Sequence, residues 1–223
     1  MSIVVQFSFL GSSIAPMKNK KPHTILSLRI TLKHMKPAVW RCIDISSAST
    51  FRNLHEYIQA CMPWGDGHLH SFDKYDSKNG IHRAWLVEDR KLAEKEGLEF
   101  LDEESTEERK TLVVDRLKKV GDTCTYCYDF GDGWEHVVKL EKISAPQKDG
   151  EYPCCTKTKG VCPFEDCGGP WGWKDKLAIV KNPQHPEYED IADWLGVEPG
   201  EEFDLAEYEM PPEAATEMMR DIL

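Results

Sequence analysis

A strict two-residue alternation of apolar and polar side chains from Leu26 to Lys33 is the feature that most constrains this fold. Successive side chains of a β-strand point to opposite faces, so the pattern predicts a strand with one buried face. Val39 to Ile45 is a second β-rich run that follows the Met35-Lys36-Pro37 break. The two runs predict an antiparallel hairpin with a slightly long loop.

Three further patterns add a helix and more strands. Apolar residues spaced three and four apart between Phe51 and Cys61 predict a helix. The short aromatic segment from His68 to Tyr75 predicts a strand. A second hairpin is predicted from two β-rich runs, Thr123 to Phe130 and Trp134 to Ile143, which flank the turn residues Gly131-Asp132-Gly133. Trp40 and Trp134, each in a strand-like run, are expected in the core.

The C-terminal part is predicted to be mostly helical. The segment from Pro146 to Pro170 is rich in Cys, Gly and Pro and is expected to be an irregular loop. Amphipathic patterns then predict helices over residues 173–180, 187–195 and 212–223. The expected fold class is therefore α+β: a mainly antiparallel sheet built from hairpins, with a helix after the first hairpin and a helical C-terminal part.

The length of 223 residues favours one core with additions rather than two equal domains. Residues 24–210 are expected to form a single α+β domain, followed by a C-terminal helix over 211–223. Residues 1–23 are expected to be a leader that is disordered or not native. Charged residues dominate from about 88 to 110, which predicts a surface insertion with little apolar area to bury.

Charge and cysteine content narrow the possible partners and compartment. The 28 Lys and Arg against 39 Asp and Glu give a net charge of -11, which disfavours non-specific nucleic-acid binding. No run of 18 apolar residues exists, so no membrane span is expected, whereas a protein partner is compatible with this composition. Eight cysteines are too few for a disulfide scaffold in such a chain, which favours free thiols or metal ligands and a cytoplasmic location.

Thiols of the Cys-rich segment form the first candidate metal site. Thiolates suit tetrahedral zinc, and irregular backbone can curl around an ion. The predicted ligands of a structural zinc are Cys155, Cys162 and Cys167, with a fourth from Cys154 or a histidine, of which His136 is the first candidate. Free buried thiols are an equally weighted alternative. Cys124 and Cys127 form a C-x-x-C inside a predicted strand, where residues three apart point to opposite faces, so each is interpreted as a small buried hydrophobe.

Histidines and carboxylates form a second candidate site. His68 and His70 lie two residues apart on one predicted strand face, so both can reach the same ion. Such side chains also suit general acid and base chemistry. The candidate catalytic residues are His68, His70, Asp129, Asp132, His136, Glu165 and Asp166. The alternative is that these histidines only form hydrogen bonds within a packed sheet.

Four segments share their order and spacing with a known family over about residues 26–205. They are Pro37-Ala38-Val39-Trp40-Arg41, Leu54-His55 through Trp64 to His68-Leu69-His70-Ser71-Phe72, Tyr128 to His136, and Tyr152-Pro153-Cys154-Cys155 through Cys162 to Gly172. Together they resemble the plasmid pRiA4b ORF-3-like family, also labelled as passenger or resolvase-like proteins of insertion sequences. The resemblance implies an α+β fold and a link to mobile elements, and it implies no particular reaction.

Three functions follow as hypotheses. The first is an accessory or interaction protein of this mobile-element-associated family, with or without a structural zinc. The second is a metal-dependent hydrolase or nuclease that uses the His/Asp cluster. The third is a DNA-binding protein linked to transposition, which requires Lys and Arg to gather on one face despite the net charge. Convergence of the histidines and carboxylates in an open pocket favours the enzyme.

Overall fold

The computed structural model describes residues 24–76, 81–83, 87–88, 106–198 and 201–222. The predicted leader and residues 89–105 of the predicted charged insertion lie outside these residues. The strands are β1 (Ile25–Leu32), β2 (Val39–Ser46), β3 (His70–Asp76), β4 (Ile81–Arg83), β5 (Val87–Glu88), β6 (Thr106–Glu107), β7 (Thr123–Tyr128), β8 (Trp134–Ser144) and β9 (Cys154–Lys159).

A seven-stranded sheet is the centre of the described part of the chain, in the order β4-β3-β7-β8-β1-β2-β9. All of its neighbouring strands are antiparallel. Strands β5 and β6 form a separate parallel pair. Both predicted hairpins are confirmed, as β1–β2 and β7–β8, and pairing of β1 with β8 joins them into one sheet.

Helices cover and flank this sheet, which confirms the α+β class. They are α1 (Phe51–Cys61), the single turn α2 (Val113–Arg116), α3 (Gly169–Ile179), α4 (Tyr188–Trp194), a 3-10 turn (Leu205–Tyr208) and α5 (Pro212–Asp221). Helix α5 packs against α1 and β9. Among the described residues, no helix has both the length and the apolar character needed to cross a membrane.

Helix α1 begins at a reciprocal cap. The side chain of Thr50 accepts a hydrogen bond from the backbone N–H of Asn53, and the Asn53 side chain accepts one from the backbone N–H of Thr50. These bonds satisfy two donors that a helix start otherwise leaves unpaired. The helix buries Leu54 and Ile58 against the sheet, but it also buries His55. A buried imidazole on a core-facing helix needs polar partners, which places the site described below.

The core confirms one tryptophan prediction and corrects the other. Trp134 is fully buried among aromatic side chains. Trp40 is only partly buried, because it lies on the outer face of β2. There the guanidinium of Arg29 lies 4.0 Å from the centroid of the Trp40 ring. Trp40 is therefore a surface cation–π partner rather than a core residue.

The expectation of an irregular loop from residue 146 to 170 is wrong for its middle third, where β9 pairs with β2 at the edge of the sheet. Its sequence Cys154-Cys155-Thr156-Lys157-Thr158-Lys159 has β-branched Thr and alternating Lys, both common on edge strands. The surrounding Gly and Pro residues hide this short signal. Cys155 consequently belongs to a strand rather than to a flexible loop.

Candidate functional site

Four parts of the chain surround one open cavity of about 620 Å³. They are the first turn of α1, the segment between α1 and β3, the turn between β7 and β8, and the segment after β6. The lining residues are Arg52, Asp66, Gly67, His68, Leu69, His70, Arg109, Asp129, Phe130 and Gly131. The backbone N–H of Asp129 donates to the carbonyl of Leu69 at 2.9 Å, which joins the turn to the start of β3.

Two buried histidines lie at this cavity: His70 lines it, and His55 lies behind His70. His55 of α1 and His70 of β3 stack with their ring centroids 3.5 Å apart and their planes 9° apart. The Nε2 atom of His55 lies 2.8 Å from Asp66 Oδ1, and the Nε2 atom of His70 lies 2.8 Å from Glu108 Oε2. Each imidazole therefore has its own carboxylate.

Arg52 connects the two histidine–carboxylate pairs. Its guanidinium lies 3.2 Å from Asp66 Oδ2 and 3.6 Å from Glu108 Oε1, the oxygens that do not face a histidine. It also pairs with Glu56 at 2.8 Å, one helical turn along α1. One cation thus faces three carboxylates.

A chain of hydrogen bonds fixes the tautomer of His55. Gln59 Nε2 donates to the hydroxyl of Tyr126 at 2.9 Å, so the hydroxyl proton of Tyr126 is directed to His55 Nδ1 at 2.8 Å. His55 Nδ1 is then the acceptor, and its Nε2–H donates to Asp66. The network assigns a neutral His55 whose Nε2 points at a carboxylate on the cavity wall.

The charge states of His55 and Asp66 follow from this environment. Burial is the main reason that the pKa of His55 lies below its ordinary value, and the nearby charges of His70 and Arg52 lower it further, against the hydrogen bond to Asp66. Partial burial opposes ionisation of Asp66, but the hydrogen bond from His55 and the charge of Arg52 outweigh it and hold the pKa of Asp66 below its ordinary value. The pair is a neutral imidazole beside a carboxylate.

A second, more exposed cluster lies at the mouth of the same cavity. His68 Nε2 lies 3.1 Å from Asp166 Oδ1 and 3.8 Å from Asp129 Oδ2. The other oxygen of Asp129 accepts from the backbone N–H of Gly131 at 2.9 Å, which holds the turn. Three of the predicted catalytic candidates, His68, His70 and Asp129, therefore line one cavity, and Asp166 contacts His68.

The remaining candidates have other positions. Asp132 accepts from the backbone N–H of Gly168 at 3.1 Å and joins the turn to the start of α3. Glu165 accepts from the hydroxyl of Tyr128 at 2.5 Å and from the backbone N–H of Gly65 at 2.6 Å. His136 is fully buried beside Trp64 and is not a lining residue of the cavity. Asp132 and Glu165 therefore hold loops together, whereas His136 belongs to the core.

The thiols predicted to bind zinc do not converge with His136 into a set of donor atoms within 4.8 Å of one another. Cys155 lies 3.5 Å from the carbonyl of Lys157, Cys162 lies 3.6 Å from Met62 Sδ, and Cys167 lies 3.7 Å from the carbonyl of Gly169, distances measured from each Sγ. The prediction of one joint site assumed that all three thiols were in one flexible loop. The structure places Cys155 in β9 instead.

Sequence reasoning missed three residues of the network around His70. The apolar pattern of the helix drew attention away from His55 and Arg52. A usable signal was present, because the polar residues His55 and Gln59 lie four apart on the buried side of the helix. Glu108 lies in the predicted surface insertion, yet it is fully buried. Composition alone gives no sign that one glutamate among many is buried, because its partners come from α1 and β3.

The fold and site define a class: an antiparallel α+β protein in which His and carboxylate clusters on a sheet and its covering helix open onto one cavity. The sequence profile described as plasmid pRiA4b ORF-3-like protein matches residues 24–211, and the chain belongs to this family. It is 30% identical over 175 residues to the Uncharacterized protein y4hQ of Sinorhizobium fredii (strain NBRC 101917 / NGR234). This match covers 78% of this chain and 81% of that protein.

A solved relative supports the fold. The crystal structure of the protein of unknown function MM3350 from Methanosarcina mazei Go1 is 32% identical and has a TM-score of 0.66. The match covers 85% of this chain and all of that chain (100%). This match supports the architecture, and neither relative's name states a reaction.

Proposed function

We propose that this protein is a metal-dependent hydrolase whose divalent ion binds to His55, Asp66 and His70. The observation that carries the proposal is the convergence of donor atoms from these three residues within 4.8 Å of one another, beside an open cavity that Asp66 and His70 line. Two imidazoles and one carboxylate are a ligand set that catalytic zinc and non-haem iron sites use, with open positions left for water and substrate.

An excess of negative charge supports a cation at this place. Arg52 faces three carboxylates, those of Glu56, Asp66 and Glu108. Glu108 is fully buried, and its Oε1 atom has no hydrogen bond. Burying an ionised carboxylate without full compensation is unfavourable, so a bound cation next to His70 would stabilise the cluster.

Both histidines present suitable atoms. Tyr126 binds Nδ1 of His55, which leaves Nε2 as the atom directed toward the cavity wall. An ion would replace the Nε2–H proton that now lies between His55 and Asp66, and Arg52 would keep its contact with the second oxygen of Asp66. Partners of this kind orient the ligands and tune their basicity.

His68 is assigned the role of general base. It lines the same cavity, and Asp166 and Asp129 orient its imidazole. A metal-bound water has a lowered pKa and becomes a nucleophile near neutral pH, and a nearby imidazole can accept its proton. The reaction class is therefore hydrolysis by a metal-activated water.

The cavity favours a small substrate over a nucleic acid, because its volume of about 620 Å³ suits a small molecule. With a net charge of -11, the chain repels polyanions, so within the predicted pair of hydrolase or nuclease the proposal is a hydrolase. The hypotheses of an accessory protein and of a DNA-binding protein stay predictions.

The test is metal binding combined with hydrolysis. We expect the metal-free protein to bind one equivalent of Zn²⁺ or Mn²⁺ by calorimetry, and the variants His55→Gln and His70→Gln to lose this binding. His34→Asn is the matched control, because His34 is exposed and belongs to neither cluster. Hydrolysis of nitrophenyl phosphate, ester and amide probes is then measured with and without the ion.

His68→Asn separates binding from chemistry, since it should keep the ion and lower kcat by about 100-fold, a typical contribution of a general base. Equal ion binding by the wild type and by the two ligand variants would exclude the site. Ion binding without ion-dependent hydrolysis of any probe would overturn the hydrolase and leave a structural metal.

A further inference from the structure

The turn between β7 and β8 presents an exposed aromatic ring at the cavity. Phe130 is 52% exposed and belongs to the residues that line the cavity. Tyr128 and Trp134, which lie on either side of it in the hairpin, are both fully buried. Single exposed apolar side chains are common on proteins, so exposure alone does not assign a role to Phe130. The way in which the turn holds this ring does.

Asp129 anchors the backbone on one side of the ring. Its N–H donates to the carbonyl of Leu69 at 2.9 Å, and its carbonyl accepts from the N–H of Gly133 at 2.6 Å. Its Oδ1 atom accepts from the backbone N–H of Gly131 at 2.9 Å. With a φ of 53°, Asp129 has a left-handed conformation that is uncommon for a residue other than glycine. These contacts fix the backbone from which Phe130 projects.

A second anchor holds the other side of the turn. Asp132 Oδ2 accepts from the backbone N–H of Gly168 at 3.1 Å. The turn is therefore attached to the start of β3 through Leu69 and to the start of α3 through Gly168. A ligand that contacts Phe130 does not have to order a loop first, which removes one cost of binding.

The apolar part of the cavity lies next to its proposed base. Of the residues that line the cavity, Leu69 and Phe130 are the two with apolar side chains, and Leu69 is half-buried. His68 directly precedes Leu69 in sequence, and its Nε2 atom lies 3.8 Å from Oδ2 of Asp129, the residue before Phe130. Apolar surface from two segments is thus placed beside the imidazole of His68.

We infer that Phe130, together with Leu69, binds an aryl group of the substrate beside the bond that is hydrolysed. This inference rests on the proposed hydrolase and names its substrate class, a small molecule whose scissile bond carries an aromatic ring. Aromatic rings pair favourably in offset or edge-to-face arrangements. Small-molecule sites combine such apolar contacts with a few polar groups that fix orientation. Phe130 determines specificity and takes no part in proton transfer.

The first test measures binding without turnover. Full-length protein without added metal is titrated with benzamide and with acetamide, which share the amide and differ in the ring, and saturation-transfer NMR reports the contact. We expect the ring protons of benzamide to receive the strongest saturation. Phe130→Ala should bind benzamide about tenfold more weakly, whereas Phe130→Tyr keeps an aromatic ring and should keep the affinity. Acetamide should not distinguish these three proteins.

Val120→Ala is the matched control for the loss of an exposed apolar side chain. Val120 is 59% exposed and does not line the cavity. This variant should bind benzamide as the wild type does. Because Phe130 is itself exposed, Phe130→Ala should keep the urea midpoint of the wild type, so a change in binding does not reflect unfolding.

Hydrolysis separates this inference from the hydrolase on which it rests. In the zinc-loaded protein, Phe130→Ala should raise the KM for phenyl acetate about tenfold and keep kcat within about twofold, with no change for ethyl acetate. Benzamide binding that depends on Phe130 in a protein without hydrolytic activity would reject the hydrolase and retain the aryl site. Absence of benzamide binding to the wild type, or equal binding by Phe130→Ala, would overturn the aryl site even in an active hydrolase.

Discussion

His55 and His70 face each other as a parallel stack of imidazoles, 3.5 Å between ring centroids, although one belongs to a helix and the other to a strand. Burial lowers the pKa of His55, which keeps this ring neutral against its neighbour. Each ring directs its Nε2 to a different carboxylate. The stack therefore places two imidazoles from different elements beside two carboxylates, Asp66 and Glu108.

Arg52 is expected to be the residue on which the stability of this cluster most depends. Replacing it by Met leaves the buried carboxylate of Glu108 without its cation, and the loss of one partner of a buried pair is strongly destabilising. Because the Arg52 side chain is 20% exposed, we expect a loss of about 2 to 3 kcal/mol in the free energy of unfolding, measured in urea.

Lys110→Met is the control for that measurement. Lys110 pairs with Glu107 at 2.7 Å, but the two side chains are 75% and 44% exposed. A surface pair of this kind contributes little, so the control should change the free energy of unfolding by less than about 0.5 kcal/mol. Equal effects of the two variants would show that the buried network is not stabilised by Arg52.

His136 predicts a loss of stability in acid. Burial lowers its pKa from the ordinary 6.5 to about 4, so the folded protein resists protonation that the unfolded chain accepts. Above pH 6.5 both states are neutral and there is no effect. As the pH falls toward 4 the unfolded state binds the extra proton, and this site removes roughly 3 kcal/mol from the free energy of unfolding.

The measurement compares urea unfolding of the wild type and of His136→Leu at pH 7, 6, 5 and 4. Leucine keeps an apolar side chain among Trp64 and Tyr126 and cannot be protonated. The variant should lose roughly 3 kcal/mol less than the wild type between pH 7 and pH 4. Parallel curves for the two proteins would mean that His136 titrates normally.

The two tryptophans are expected to differ in their contribution to stability. Trp134→Ala removes a fully buried side chain and should lower the free energy of unfolding by about 3 to 5 kcal/mol. Trp40→Ala removes a partly exposed ring and its contact with Arg29, and should lower it by about 1 kcal/mol. Denaturant unfolding monitored by circular dichroism, which does not depend on the removed indole, checks the order.

Patterns that are local in sequence predicted this fold well. The alternation in β1 and the spacing in α1 each depend on one face of one element, so both were readable, and they fix the hairpins and the covering helix. Strand β9 was missed because its pairing with β2 is a tertiary contact within a Gly- and Pro-rich segment. The strand face shared by His68 and His70 was also wrong, since β3 begins only at His70.

The site was predictable only in part, for the same reason. Residue types identified His68, Asp129 and Asp166 as candidates, and the structure brings them together. Nothing in the spacing shows that α1 places His55 over His70. Nor does it show that Glu108 is buried against His70. Such contacts depend on packing between distant segments, which a single sequence does not encode in any local pattern.

Gly169 is expected to be the backbone position on which the cluster of His68, Asp129 and Asp166 depends. It has a φ of 70°, and a Cβ atom there would lie 2.2 Å from the carbonyl oxygen of Asp132. Gly169→Ala must displace the turn that carries Asp129, so we expect a loss of more than about 2 kcal/mol in the free energy of unfolding. Gly67→Ala is the control, because Gly67 lines the same cavity but a Cβ atom there meets nothing within 4 Å. It should stay within about 0.5 kcal/mol of the wild type. If the free energy of unfolding of Gly169→Ala in urea equals that of this control, the turn can move without cost. The proposed alignment of His68 by Asp129 would then not depend on a rigid contact between the turn and α3.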